Sequence, residues 1–311
     1  MSDIALGLEH VSKDYGAYRA VRDLSFSVRK GTICGFLGPN GAGKTSTLRM
    51  ILGLSRPSEG SITVLGAAPG KRLDHIGFLP EERGLYRKMT PIDVIVFLAQ
   101  LKGVKAGVAR SRAKSMLEAQ GLGEYLHKQV RTLSKGMQQK VQLISCLVHE
   151  PELVILDEPF SGLDPVNQQG LETIIRDIAG RGATVLFSTH VMQHAERLCQ
   201  NVVMLTKGEK VFEGTLKAAR AAAPRFLDIE GPLAQADLLA LPGIEAVDTL
   251  GLSEEGVSLW RCRLGSGGNA HDALKAAFLK NLDIRRFEAR EPSLHEAFIV
   301  LTGATAEAGH A

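Results

Sequence analysis

The chain has 311 residues, 44% hydrophobic and 23% charged, which is typical of a globular protein and long enough for one large and one smaller domain. The formal net charge is only +3, which excludes the broad basic surface of a nucleic-acid-binding protein, so we expect no nucleic-acid partner. The four cysteines are far apart and form no CxxC pair, which predicts buried thiols in a reducing compartment rather than a metal or redox site.

The amino-terminal segment MSDIALGLEH has no basic start followed by an apolar core, so it does not resemble a signal peptide. IALGLEHVS and LSFSVRK alternate apolar and polar residues as strands do. GTICGFLG predicts a short buried strand, and a glycine-rich turn and the helical pattern KTSTLRMILGL follow it.

Residues 91–150 carry apolar side chains at helical spacing, as in PIDVIVFLAQL and RAKSMLEAQGL. The apolar run VIVFLAQL (94–101) within this region is far too short to span a bilayer. ELVILDE and ATVLFSTH then predict two more buried strands, each leading toward a helix. Strands that alternate with helices predict an α/β fold with a mainly parallel, covered sheet, into which a helical subdomain (about 88–150) is inserted.

The composition shifts at LKAARAAAPR (216–225), which predicts a first domain over 1–220 and a small α+β domain over 224–302. Patterns in the second region follow a βαββαβ order, which predicts a ferredoxin-like fold. PSLHEAFIVLTG adds a last helix, and residues 303–311 predict a flexible tail.

GPNGAGKT (38–45) matches the phosphate-binding pattern G-x-x-x-x-G-K-[ST] of a P-loop. Its glycines let the backbone turn successive N–H groups toward an anion, and the following helix adds its positive amino-terminal end. Lys44 can reach the β- and γ-phosphates, and the Thr45 hydroxyl can ligate Mg²⁺. We therefore predict an ATP site formed by Gly38, Pro39, Asn40, Gly41, Ala42, Gly43, Lys44, Thr45 and Ser46.

LVILDEP (153–159) is an apolar strand pattern that ends in two carboxylates, for which a buried strand has no structural need. Asp157 fits the Mg²⁺-side carboxylate of a P-loop NTPase. Glu158 fits a base that orients and polarises the attacking water. His190 ends the next predicted strand, at the edge where parallel sheets bind ligands, so we predict a hydrogen bond from it to the γ-phosphate.

Over residues 4–220 the chain resembles the nucleotide-binding subunit of an ATP-binding-cassette (ABC) transporter. GPNGAGKTS resembles the Walker A motif, LVILDEP resembles Walker B with Glu158 as the catalytic glutamate, and His190 resembles the switch histidine. Tyr15 lies where the family stacks an aromatic ring on adenine. LSKGMQ resembles the family signature LSGGQ, and the resemblance implies that the partner's ATP is bound by Ser134, Lys135, Gly136, Met137 and Gln138. SGLD resembles the D-loop, which would be formed by Ser161, Gly162, Leu163 and Asp164.

The resemblance implies that two copies pair head to tail, and that the signature of one closes on the γ-phosphate held by the other's P-loop. Ser134 and the backbone N–H of Gly136 would then bind the partner's ATP. Binding of ATP would join the pair and hydrolysis would release it, which is an order of events that can drive motion.

Two motifs depart from the family pattern. Lys135 and Met137 replace the usual Gly and Gln of the signature, in a form common among exporter subunits; Lys135 either adds a cation near the phosphate or points to solvent. Glu81, in IGFLPEERGLY, replaces the Gln that contacts Mg²⁺ and the membrane subunit, and a carboxylate can still meet Mg²⁺ directly or through water. The family also places the stretch EERGLYRKMT beside the membrane partner; a solvated charged loop is the alternative interpretation.

We therefore expect the ATPase subunit of an exporter, bound to the cytoplasmic face of the membrane through a permease on a separate chain. One alternative is a non-transport ABC ATPase acting on ribosomes or DNA, but such proteins usually carry two cassettes in one chain or a long coiled coil. The other is a P-loop kinase or GTPase, and the sequence has no N-K-x-D guanine motif. The sequence does not identify the substrate, because transported molecules touch the permease.

Overall fold

The computed structural model describes residues 3–82 and 84–303, and the chain divides into two compact units after Leu216. The predicted boundary at 220 lies a short way past this division. Of the predicted flexible tail, only Gly303 lies within the described residues. The four cysteines are buried and unpaired, as predicted.

The first unit contains nine strands and six helices among its described residues. Its strands are β1 (Ile4–Tyr15), β2 (Tyr18–Arg29), β3 (Ile33–Leu37), β4 (Glu59–Val64), β5 (Ile76–Leu79), β6 (Leu153–Asp157), β7 (Thr184–Thr189), β8 (Asn201–Thr206) and β9 (Glu209–Thr215). Its helices are α1 (Lys44–Ile51), α2 (Pro91–Leu101), α3 (Ala106–Ala119), α4 (Lys135–Leu147), α5 (Pro165–Gly180) and α6 (Met192–Leu198).

A six-stranded sheet, in the order β5-β6-β7-β3-β8-β9, forms the centre of the first unit. β5, β6, β7, β3 and β8 run parallel, and β9 is antiparallel to β8. β3, β6 and β7 are buried along their whole length, as the apolar runs predicted. Because the carboxyl ends of parallel strands meet at one edge of a sheet, the segments that follow β3, β6 and β7 gather there.

A second, antiparallel sheet in the order β2-β1-β4 completes the core of this unit. Its hairpin pairs Tyr15 with Tyr18, so β2 begins earlier than the pattern LSFSVRK indicated. Phe26 and Phe36 stack with ring centroids 5.4 Å apart, and Leu48 of α1 belongs to the same buried cluster. This packing fixes α1 and the turn before it against both sheets.

The predicted helical subdomain consists of α2, α3 and α4, which share a buried apolar cluster that includes Ile95, Leu117 and Ile144. Thr90 caps α2 by accepting a hydrogen bond from the Asp93 N–H, and Pro91 occupies the first helical position, where its missing N–H has no cost. None of the described helices is long and apolar enough to cross a membrane.

The second unit has its elements in the predicted βαββαβ order, preceded by one short helix and followed by another. They are α7 (Leu216–Arg220), β10 (Arg225–Glu230), α8 (Gln235–Leu239), β11 (Ile244–Leu252), β12 (Ser258–Leu264), α9 (Ala270–Leu279), β13 (Arg286–Arg290) and α10 (Leu294–Thr302). The sheet order is β11-β12-β10-β13 with all neighbours antiparallel. Leu227, Leu238 and Ala277 belong to its buried core.

Candidate functional site

The glycine-rich turn 38–43 joins the buried end of β3 to the first residue of α1. Gly43 has φ +96°, and a Cβ there would lie 2.6 Å from the carbonyl oxygen of Ala20. Both the backbone conformation and the space therefore require glycine at this position. The turn runs directly into the amino terminus of α1. Backbone N–H groups of a glycine-rich turn followed by a helix amino terminus are an arrangement that binds phosphate.

Lys44, the first residue of α1, is only 6% exposed. Its Nζ donates hydrogen bonds to the carbonyl oxygens of Gly38, at 2.6 Å, and Pro39, at 3.2 Å. The same atom lies 3.5 Å from Glu158 Oε1. The ammonium group is thus held inside the glycine-rich turn, beside the carboxylate that follows β6.

Asp157, the last residue of β6, is 4% exposed and lies opposite Ser188 of β7. The Ser188 hydroxyl donates a hydrogen bond to Asp157 Oδ1. Burial raises the pKa of the Asp157 carboxyl, the Ser188 hydrogen bond opposes that shift, and a hydrogen bond from the Thr45 side chain opposes it further. Thr45 of α1 and Asp157 of β6, two of the three residues predicted to hold Mg²⁺, therefore lie together. A bound cation would favour the ionised carboxylate.

Glu158 has φ +45°, a conformation that costs a non-glycine residue about 1–3 kcal/mol. Its N–H donates to the Ser188 carbonyl and to the Ser188 hydroxyl, both at 3.2 Å, and its carbonyl accepts from the Ser161 N–H at 3.1 Å. The neighbouring strand and turn thus hold the strained backbone in place. Strain of this kind at a pair of carboxylates points to function rather than to a solvated strand end.

The Glu158 carboxylate is 9% exposed, and its Oε1 lies 3.0 Å from His190 Nδ1, just past the end of β7. Neither His190 nor Lys44 meets this oxygen with hydrogen-bond geometry, so within the described chain the buried Oε1 accepts no hydrogen bond. Such an oxygen fits a group that receives a proton from a bound water.

A cleft of about 200 Å³ opens at this edge of the sheet. The residues that line it are Tyr18, Ala20, Asn40, Gly41, Ala42, Gly43, Lys44, Thr45, Ser46, Glu81 and Glu158. The structure therefore brings Glu81 to the same cleft as the P-loop. It also brings there an aromatic residue that the sequence analysis missed, since Tyr18 borders the cleft.

Tyr15, the residue predicted to stack on adenine, is paired with Tyr18 across the β1–β2 hairpin and is 45% exposed. The Nζ atom of Lys13 lies 5.1 Å from the centroid of its ring. Tyr15 is not among the described residues that line the cleft. Its stacking role stays a prediction, and Tyr18 is a second candidate for it.

The segment 134–138 forms the amino terminus of α4, as its turn-then-helix pattern predicted. The Ser134 side chain accepts a hydrogen bond from the Met137 N–H at 3.2 Å, and Gln138 Nε2 donates to the Leu133 carbonyl at 2.9 Å. Ser134 and Lys135 are exposed. None of the described residues that line the P-loop cleft comes from this segment.

The segment 161–164 leads into α5, where Asp164 accepts hydrogen bonds from the Asn167 N–H at 3.0 Å and from Asn167 Nδ2 at 2.6 Å. These hydrogen bonds, the backbone one first, lower the pKa of the Asp164 carboxyl. A Cβ on Gly136 would lie 2.9 Å from Asn167 Nδ2. The predicted D-loop and the predicted signature are therefore neighbours, and a glycine at 136 gives Asn167 its room.

Two glutamines of α4 tie the helical subdomain to the site, and the motifs did not reveal them. Gln139 Nε2 donates to the Pro159 carbonyl at 2.6 Å, directly after Glu158. Gln142 Nε2 donates to the Glu82 carbonyl at 3.3 Å, directly after Glu81. Gln139 belongs to the polar run QQK (138–140), and Gln142 follows that run after one apolar residue.

Among the described residues, no group of three or more His, Cys, Asp or Glu side chains is arranged to hold a metal ion by itself. The candidate ligands are one hydroxyl and two carboxylates, from Thr45, Asp157 and Glu81. Mg²⁺ is commonly held by one or two carboxylates together with substrate phosphates and water, so this set fits Mg²⁺ bound along with a nucleotide.

The family model described as ABC transporter matches residues 21–161 of the chain. The ABC transporter ATP-binding protein YhaQ of Bacillus subtilis (strain 168) is 41% identical over 304 residues, which cover 97% of this chain and 100% of that one. The Nod factor export ATP-binding protein I of Rhizobium leguminosarum bv. viciae is 34% identical over 310 residues, covering 97% of this chain and 96% of that one.

Among solved structures, one described as the ATP-binding subunit of an ABC transporter superposes with a TM-score of 0.65 and 32% sequence identity. The match covers 70% of this chain and 92% of that chain. The predicted α/β P-loop fold is confirmed by this likeness.

Proposed function

Because the chain belongs to the ABC transporter family as an ATP-binding subunit, we propose that it hydrolyses ATP as a head-to-tail homodimer and powers export through a separate membrane permease. The observation that carries the hydrolytic part is the strained, buried Glu158, whose Oε1 has no hydrogen-bond donor within the described chain. It lies between Lys44 of the P-loop and His190.

Binding of ATP follows from the P-loop. The N–H groups of the turn 38–43 and the amino terminus of α1 offer partial positive charge to the phosphates. Lys44 Nζ, which here bonds to the carbonyls of Gly38 and Pro39, supplies a full positive charge at the same place. When ATP is bound, we expect this ammonium to turn toward the β- and γ-phosphates. Tyr15 or Tyr18 would cover the base.

Glu158 would accept a proton at its buried carboxylate from the water that attacks the γ-phosphorus. The Ser188 hydroxyl accepts a hydrogen bond from the Glu158 N–H and donates one to the Asp157 carboxylate. It would thereby hold Asp157 on the Mg²⁺ side and leave the Glu158 carboxylate for the attacking water. His190 Nδ1 lies 3.0 Å from the Glu158 carboxylate and would hold it in place while reaching toward the γ-phosphate. Mg²⁺, held by Thr45, Asp157 and Glu81, would neutralise the charge that develops on the phosphates.

The signature segment supports a site shared between two copies. Ser134 and Lys135 are exposed at the amino terminus of α4, and the segment does not line the P-loop cleft among the described residues. A helix amino terminus with an exposed hydroxyl is suited to an anion. The phosphate that it meets would belong to the nucleotide of a second copy.

Export rests on the relatives. The Rhizobium protein that aligns with 97% of this chain is named for the export of Nod factor. ABC ATP-binding subunits work with membrane permease components, and no described helix of this chain is able to cross a membrane itself. We therefore infer a position at the cytoplasmic face of the membrane, held there by the permease.

The test is to purify the full chain from its native membranes under mild detergent, identify the proteins that accompany it, and measure ATP hydrolysis by the complex. The proposal expects a multi-helix membrane protein in the complex and Mg²⁺-dependent release of phosphate. Co-purification with ribosomes or DNA instead, without a membrane protein, would overturn the transport part.

Glu81 gives a prediction about coupling to the permease. Glu81→Gln is expected to retain activity, because the family normally has Gln at this position. Glu81→Ala is expected to reduce permease-coupled turnover more than basal turnover, since the residue borders the cleft and is followed by Glu82, whose carbonyl accepts from Gln142 of the helical subdomain.

The measurement is phosphate release with and without the permease, and Glu209→Ala is the matched control because Glu209 is an exposed glutamate of β9 that lies outside the stretch 81–90 and does not line the cleft. Equal losses in both conditions would indicate a purely catalytic role for Glu81. No loss of turnover in either condition would indicate that Glu81 belongs to a solvated loop without a role in coupling.

The second unit gives a prediction about regulation. A chain that ends at Ala223 is expected to retain wild-type affinity for ATP, because every nucleotide motif lies within the first unit. We expect the second unit to help hold two subunits together between ATP cycles or to set how readily they close. In α10, Leu294 and Ala297 are fully buried while Val300 is 48% exposed, so part of the helix remains available to a neighbour.

The oligomeric state and basal ATPase activity of the truncated chain, with and without ATP, check this expectation. Unchanged dimerisation and turnover, both alone and with the permease, would contradict a regulatory role for the second unit.

A further inference from the structure

A second histidine is buried beside the catalytic pair and has no role in the mechanism above. His194, in α6, is 7% exposed, and its Nδ1 is buried without a hydrogen-bond partner in the described chain. Its ring stacks on Phe160, with centroids 4.1 Å apart and an interplanar angle of 15°. Phe160 in turn meets Phe187 of β7 edge to face, with centroids 6.0 Å apart.

The two stacked rings belong to the two segments that carry the catalytic side chains. Phe160 lies in the turn that begins at Glu158. The Ser161 N–H closes this turn by donating a hydrogen bond to the Glu158 carbonyl at 3.1 Å. His194 lies in the first turn of α6, which begins two residues after His190. The stack therefore joins the backbone just past Glu158 to the helix just past His190, whose side chains approach within 3.0 Å.

Burial favours the neutral form of the His194 ring. Burial is the largest effect and lowers the pKa of His194. The carboxylates of Glu172 and Glu158 raise that pKa, and Arg197 and His190 lower it. The Glu172 carboxylate is itself engaged by Arg197, at 3.3 Å, and by Arg176, at 3.6 Å. A neutral, flat imidazole packed face to face on a phenylalanine behaves as an aromatic core residue.

We propose that His194 is a positioning residue for ATP hydrolysis, which through its stack on Phe160 holds the Glu158 turn and the His190 segment at their working separation. The inference rests on the proposed hydrolytic function. It assigns to His194 an effect on the chemical step and none on nucleotide binding, because His194 is not among the described residues that line the cleft. A misplacement of about 1 Å at a catalytic group can cost on the order of 10²-fold in rate.

The test compares His194→Ala, which removes the ring, with His194→Phe, which keeps a neutral ring of similar shape. In the full chain, His194→Ala is expected to lower kcat by about 10–100-fold while the Kd for ATP stays at the wild-type value. His194→Phe is expected to keep a kcat close to wild type. His149→Ala is the matched control, because His149 is a half-buried histidine that also has an unpartnered Nδ1, and it follows α4 and lines a different pocket from the cleft.

Phe160→Leu removes the other ring and is expected to lower kcat in the same way, which keeps the test valid even where His194→Ala does not fold. Wild-type kcat in either ring-deletion variant, a loss of ATP affinity that accounts for the loss of rate, or an equal fall in His194→Phe would overturn the positioning role. If the wild-type chain itself hydrolyses no ATP, then the proposed function fails instead, so the two failures are distinguishable.

Discussion

Replacing Glu158 by glutamine is expected to stop ATP turnover while ATP binding is retained. The amide keeps the shape of the side chain but cannot accept the proton of the attacking water, and general-base assistance is worth about 10²–10⁴-fold in rate. Binding should survive because the phosphates are held by the turn 38–43 and by Lys44. The checks are phosphate release at saturating ATP and equilibrium binding of nucleotide to the same preparation.

Glu152→Gln is the matched control for this variant. Glu152 precedes the opposite end of β6, where it pairs with His75 and Arg72 at the surface. Its replacement makes the same chemical change at the other end of the same strand and should leave turnover intact. Wild-type hydrolysis by Glu158→Gln would remove Glu158 as the base.

The second large effect separates the two phosphate-binding turns of the chain. Lys44→Ala is expected to weaken ATP binding within its own subunit by about 1.5–3 kcal/mol, the usual worth of a hydrogen bond to a charged group. Ser134→Arg is expected to leave that affinity unchanged but to block ATP-dependent closure of the dimer and hydrolysis, because the bulky side chain would occupy the place of the partner's phosphate. Nucleotide affinity and ATP-dependent dimerisation are measured separately.

Ser115→Arg is the control for Ser134→Arg, since it makes the same substitution at an exposed position of α3 in the same helical subdomain. It should affect neither measurement. A loss of ATP affinity in monomeric Ser134→Arg would mean that the signature serves the ATP of its own subunit, and a dimer shared through the signature would then be wrong.

Short-range patterns predicted most of the fold and the motif residues, because each of them depends on neighbours in the sequence. The P-loop lies between a buried strand and a helix, as its spacing indicated, and Lys44 is the first residue of α1. Ser134 caps α4 as the turn-then-helix pattern suggested. The βαββαβ order of the second unit followed from alternating patterns, although several element ends differ by a few residues.

The contacts that the sequence could not supply are set by register between distant segments. Asp157 meets Ser188 because β6 and β7 are neighbours with those residues opposite each other. Tyr18 reaches the cleft because the β1–β2 hairpin pairs it with Tyr15. The positive φ of Glu158 arises from hydrogen bonds to β7, which no local pattern encodes.

The central claim is that the signature of one copy closes on the nucleotide of another, and a cross-link tests it most directly. The four native cysteines are buried, so Lys135→Cys and Asn40→Cys, both at exposed positions, can carry the reactive thiols in a Glu158→Gln chain. With a short thiol-reactive cross-linker and ATP, the account predicts a covalent dimer that fails to form without ATP or with either cysteine alone. A cross-link within a single chain, or a covalent dimer whose yield does not depend on ATP, would contradict the claim that the signature closes on the partner's nucleotide.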